Sequence, residues 1–138
     1  MLWHNGFIAL AVAASAAILA ACDQTTSAGE FTSLAGTSWK VEGIPNNVDA
    51  TIAFGTDGRV TGFAGCNRYF ATYTQSGQSL TVNGIGSTRK ICPAVEMSVE
   101  REFLKTLAIV ERWNGDGTRI ELTAPADKTT VRLARDKS

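Results

Sequence analysis

Between Thr37 and Leu133 the hydropathy of this chain flips at every second residue, in short bursts that end at turns. A strand with one wet and one buried face needs that alternation, and its brevity demands many strands joined by short connections. Trp39 and Val41 share one face of a first strand over 37–43, which Pro45-Asn46-Asn47 breaks. Ile52 and Phe54 mark a second, and Thr56-Asp57-Gly58 supplies a hairpin turn. A third runs from Val60 to Ala64, with Gly62 marking a bulge or close packing. In a fourth, Tyr69–Thr74, Tyr69, Ala71 and Tyr73 lie on one face and Phe70 on the other. Gln75-Ser76-Gly77 turns into a fifth strand with Leu80 and Val82. Asn83-Gly84 predicts another hairpin, leading from Ile85 into a short sixth strand towards Thr88. Later strands carry Ile109 to Trp113, Ile120 with Leu122, and Val131 with Leu133, parted by turns at Asn114-Gly115-Asp116-Gly117 and Pro125-Ala126-Asp127.

The period changes once. Val95, Val99, Phe103 and Leu107 recur every four residues, with Leu104 and Ala108 adjoining, which predicts one amphipathic helix over Ala94–Ala108. Pro93 suits its first turn, and Glu96 and Glu100 fall in the N-terminal half, where negative charge is favoured. Eight or nine short strands in a single domain of about 100 residues must curl or close. The expected fold class is therefore mainly β: a small antiparallel barrel or strongly curved sheet, covered by one helix.

Ahead of this domain, Phe7 to Ala21 is apolar and uncharged. That is the length of a signal-peptide core and short for a membrane-spanning helix. Leu19-Ala20-Ala21-Cys22 closes the run and resembles a bacterial lipobox, whose cysteine is acylated and becomes the first mature residue. Met1–Gly6 departs from the signal pattern in carrying no Lys or Arg. An uncleaved anchor, or a start that has lost a basic residue, are the alternatives. The polar stretch up to Ser33 reads as a flexible tether, about 35–40 Å long when extended. The expected organisation is thus a signal peptide over 1–21, a lipidated Cys22 with its tether over 22–33, and the domain over 34–138. The expected location is the bacterial envelope, lipid-anchored and facing the periplasm. Asp23 resembles an inner-membrane retention signal.

Charge and cysteine content narrow the function. The 13 basic and 13 acidic residues all follow Cys22, with no like-charged run longer than two, which speaks against nucleic acid as a partner. The one histidine, His4, falls in the signal segment, so the mature chain lacks Ser-His-Asp and Cys-His arrangements and histidine metal sites. No catalytic residue, metal or cofactor is expected. With Cys22 assigned to lipid, Cys66 and Cys92 remain as an even pair in an oxidising compartment. A bridge between them closes a loop of about 27 residues and contributes roughly 3–4 kcal/mol. Two buried free thiols are the alternative.

Three word-like stretches stand out: Leu34-Ala35-Gly36-Thr37-Ser38-Trp39; Gly65-Cys66-Asn67-Arg68-Tyr69, followed by Tyr73; and Thr88-Arg89-Lys90-Ile91-Cys92-Pro93, with Glu100 and Phe103 in the helix that follows. In this order they resemble the META domain family, which includes the HslJ-like heat-inducible lipoproteins of bacteria. The resemblance spans Leu34 to Leu133. It implies a compact β-rich fold with one helix and an association with envelope stress, motility and antibiotic tolerance, or virulence in protozoan relatives. It brings no catalytic residues and no agreed ligand.

The positions to follow into the structure are Cys66, Asn67, Arg68, Thr88, Arg89 and Cys92. On one reading Asn67 shapes a turn through a positive φ and bonds to its own backbone, and Arg68 and Arg89 pair with Glu100 or another carboxylate. On the other, a Cys66–Cys92 bridge gathers Asn67, Arg68, Thr88 and Arg89 into a binding loop for an anionic group. Trp39, Trp113, Tyr69 and Tyr73 are expected in the core or at a barrel rim rather than as a sugar platform. The expected role is that of a monomeric, non-enzymatic envelope lipoprotein that binds an envelope protein or small molecule during stress. The alternatives are a small-ligand carrier in the barrel and an inhibitor of a hydrolase such as lysozyme.

Overall fold

The computed structural model describes residues 30–137. Five strands come first: β1 (Thr37–Val41), β2 (Thr51–Phe54), β3 (Arg59–Phe63), β4 (Arg68–Ser76) and β5 (Ser79–Ser87). The helix α1 (Ala94–Ala108) follows, then β6 (Arg112–Gly115), β7 (Arg119–Ala124) and β8 (Thr129–Arg135). Each strand pairs antiparallel with the next, and β8 returns to β1 through Val41↔Leu133, Lys40↔Ala134 and Trp39↔Arg135. The sheet is a closed eight-stranded barrel. β5 and β6 share the single pair Ser79↔Arg112, and α1 packs against β5 and β8.

The helix has the bounds its periodicity predicts, with Pro93 as its N-cap residue and Ile109 as its C-cap. Two strand expectations change. Asn83-Gly84 is no hairpin, because β5 continues to Ser87 as one strand against β4. The ladder steps from Phe70↔Gly86 to Thr72↔Asn83, two residues on β4 against three on β5, so the extra residue forms a bulge with Gly84 at φ +64°. Ile109 and Val110 end the helix rather than open a strand: the Ile109 N–H bonds the Thr106 carbonyl, and Val110 is buried.

Alternation fills the barrel. Trp39, Phe54, Tyr69, Leu80, Leu122 and Leu133 are all but fully buried. The Trp39 indole N–H donates to Thr37 Oγ1 at 2.7 Å and that of Trp113 to the Gly77 carbonyl at 2.9 Å. The Tyr69 hydroxyl donates to the Thr51 carbonyl at 2.8 Å, and burial pushes its pKa well above the usual tyrosine range. The half-buried Tyr73 reaches the Gly55 carbonyl at 2.7 Å and meets the Phe54 ring edge-on. These four aromatics serve the core, and the exposed Phe70 faces away from it.

The folded body begins earlier than the polar composition of 22–33 suggests. Phe31 stands edge-on to Trp39 and Trp113, with ring centroids 5.8 and 5.6 Å apart. Gln75 fastens the segment, accepting from the Leu34 N–H at 2.9 Å and donating to the Thr32 carbonyl at 2.8 Å. One large aromatic side chain among small polar residues is enough to dock residues expected to be flexible. The signal segment 1–21 and the lipidation site Cys22 lie outside the described residues.

Strand direction gives the barrel two distinct ends. Thr37, Phe54, Arg59 and Ser76 lie at the end where Phe31 docks. Val41, Phe63, Arg68, Ser87 and Thr129 lie at the other.

Candidate functional site

The two cysteine-bearing motifs meet at that second end. Gly65, at φ +95°, lies beneath α1, where a Cβ would stand 3.0 Å from the Glu96 carbonyl oxygen and 3.2 Å from Val99 Cγ1. The chain then enters Cys66, which is bridged to Cys92 with their Cα atoms 5.8 Å apart. Asn67 is buried and its bonds reach across the fold. Its backbone N–H donates to Glu100 Oε2 at 2.8 Å, and its Nδ2 donates to the Lys90 carbonyl at 3.0 Å and to the same carboxylate. Its Oδ1 accepts from Thr88 Oγ1 at 2.9 Å and from the Lys90 N–H at 2.7 Å.

This network revises the local reading of the motif. Gly65, not Asn67, takes the positive φ. Asn67 does not bond to its own turn. It joins the 88–90 loop to the helix. Glu100 is taken by Asn67 rather than by Arg68 or Arg89, whose side chains form no ion pair among the described residues. The structure brings Asn67 and Thr88 together but spends both on internal bonds, with a carboxylate against the amide. It leaves Arg68, Arg89 and Lys90 at the surface. An anion seat lined by the Asn67 amide is therefore not formed. What the loop offers outward is cationic and apolar: Ile91 at its tip is 88% exposed. Sequence reasoning did not single out Lys90 or Ile91. The available signal was an isoleucine next to a bridging cysteine, outside any alternating strand.

A second feature at this end is a groove of about 760 Å³ between α1 and the start of β8. After the Glu42 N–H donates to the Arg132 carbonyl at 2.9 Å, Gly43, at φ +78°, turns the chain away from β8. Val41, Ile44 and Pro45 then wall one side, Val95, Val99 and Phe103 the other, and Thr130 and Val131 lie between them. Val95, expected on the buried helix face, is 46% exposed here because the barrel covers only the later turns, through Phe103 and Leu107. Among the described residues no group of three or more His, Cys, Asp or Glu is placed to hold a metal.

Solved structures share the architecture. A protein from Burkholderia xenovorans matches with a TM-score of 0.66 at 22% identity, over 76% of this chain and 85% of its own. A DUF4847-family protein from Bacteroides vulgatus matches with a TM-score of 0.57 at 18% identity, over 76% of this chain and 96% of its own. At such identities the likeness is one of fold. Among curated proteins none matches the sequence. The sequence profile of the META domain matches residues 32–137, and by that match the chain belongs to the META domain family.

Proposed function

We propose that this chain is a non-enzymatic binding module of the bacterial cell envelope. It is lipid-anchored at Cys22, faces the periplasm, and engages an envelope protein through the 88–92 loop under stress. One observation carries this reading: Ile91 is 88% exposed on a loop fixed by the Cys66–Cys92 bridge and by the bonds of Asn67 to Thr88 and Lys90. Ordering a backbone costs about 1–2 kcal/mol per residue, and burial of this loop's tip does nothing to offset it. A loop ordered in advance loses less on binding, and exposed loops on rigid scaffolds are where recognition residues concentrate. Arg68, Arg89 and Lys90, exposed and without an ion pair among the described residues, add a preference for a partner with an acidic rim around an apolar spot. The lipobox-like Cys22 and the family's association with envelope stress support the setting.

The test is in-cell photo-crosslinking from a probe replacing Ile91, with a control probe at Asp57 on the opposite end. A dominant envelope protein captured from position 91 and not from 57 supports the proposal. Equal adducts from both positions, or none with a reactive probe, overturn it.

A further inference from the structure

The groove beside α1 has a property that its apolar walls alone do not give it. Residues 129, 131 and 133 of β8 exchange ladder bonds with β7, as the Arg135 N–H to Thr118 carbonyl bond and the register require. The backbone groups of residues 130, 132 and 134 therefore face β1. Lys40 partners Ala134, and the Arg132 carbonyl accepts from Glu42. There Gly43 takes β1 away. Among the described residues, nothing bonds the N–H and C=O of Thr130 or the N–H of Arg132. The first half of β8 is an open strand edge, and it opens into the groove.

We propose that this half-edge accepts an extended segment of another polypeptide as an added antiparallel strand. The segment lies between β8 and α1 along the track that β1 vacates. An unpaired edge offers regularly spaced donors and acceptors that a backbone in extended form satisfies. Alternate side chains of the added strand then face the apolar wall of Val95, Val99 and Phe103, and the others face water. The groove's volume lies within the range of ligand-binding clefts, about 300–1,000 Å³. Charge selects further. Glu42 and Glu102 flank the two walls; Glu42 pairs with the outlying Arg119 at 3.5 Å, and Glu102 with Arg101 at 3.6 Å and at longer range with the charge of Lys105. Arg132, the one cation lining the groove among the described residues, is turned to Glu121 at 3.0 Å. The preferred segment is apolar at alternate positions and basic at its ends. This site is separate from the 88–92 loop and does not rest on it.

The test uses the purified full-length protein and a synthetic peptide of alternating valine and threonine with a lysine at each end. On saturation, amide exchange at Thr130 and Arg132 is expected to slow by about tenfold or more. N-methylating the peptide nitrogens that face β8 is expected to weaken binding by at least about tenfold. Methylating the alternate nitrogens is expected to change it by less than about twofold. Two results overturn the proposal. One is equal binding of both methylated peptides, which marks apolar adsorption without strand pairing. The other is unchanged exchange at Thr130 and Arg132 at millimolar peptide. A Val95→Lys variant, at an exposed helix position, is expected to lose binding with its near-ultraviolet circular dichroism unchanged.

Discussion

Asn67 holds both motif words together from inside. Its amide and its own N–H bond the carboxylate of Glu100, the backbone of Lys90 and the hydroxyl of Thr88. Asn67→Ala removes those partners at once and leaves buried groups unpaired, so it is expected to lower stability by about 2–4 kcal/mol in equilibrium urea unfolding. The sequence marks Asn67 as special, yet a turn-forming asparagine always has a local explanation. Partners 21 to 33 positions away have no local signature. Asp116 is the opposite case: Asn114-Gly115-Asp116-Gly117 predicts a turn, and one forms from Asp116 on, after β6 has carried Asn114 and Gly115. Its carboxyl accepts from the Thr118 hydroxyl and from the N–H groups of Arg119 and Thr118, which hold its pKa at about 2. The unfolded chain takes up this proton more readily than the folded one. The turn's contribution is therefore complete above the ordinary carboxyl pKa of about 4 and is lost as pH falls through about 2. Asp116→Asn is expected to flatten the dependence of melting temperature on pH in that window.

Among the elements, the type and bounds of α1 are legible, because a period near four and Pro93 fix them, while the exposure of Val95 on its first turn is not. Asn83-Gly84 is not legible, because a hairpin and a bulge ask the same thing of a glycine, a positive φ. What decides between them is whether the partner strand continues, and β4 runs for nine residues. Gly84→Ala meets no atom within 4 Å and is strained only by its φ of +64°, so a loss of about 1–2 kcal/mol is expected. Gly65→Ala adds contact with the Glu96 carbonyl and Val99 beneath α1 to the same kind of strain. It is expected to cost more than Gly84→Ala, about 3 kcal/mol, when both are compared by denaturant midpoint.

For the whole molecule, strand number and hairpin rhythm gave the fold class. Closure was not legible, since β1 and β8 come from the two extremes of the domain and pair over three registers. Nor was the reach of Phe31 into the end of the barrel, which hydropathy averaged over a polar segment conceals. Phe31→Ala is expected to lower stability by about 2 kcal/mol and to speed proteolysis ahead of Leu34. Replacing both Cys66 and Cys92 with serine is expected to cost about 3 kcal/mol, with the denaturant midpoint falling under non-reducing conditions.

The seat of Phe31 between Trp39 and Trp113 sets an up and a down. Chain arriving from any upstream anchor enters at the aromatic end, while Arg68, Ile91 and the open edge of β8 crown the far one. A strand of nine residues spans about 30 Å, and a tilt of about 40° leaves roughly 23 Å of height. If the chain is tethered through Cys22 as proposed, the molecule stands as a short post that lifts the two proposed recognition surfaces one barrel's height beyond the point where the chain enters.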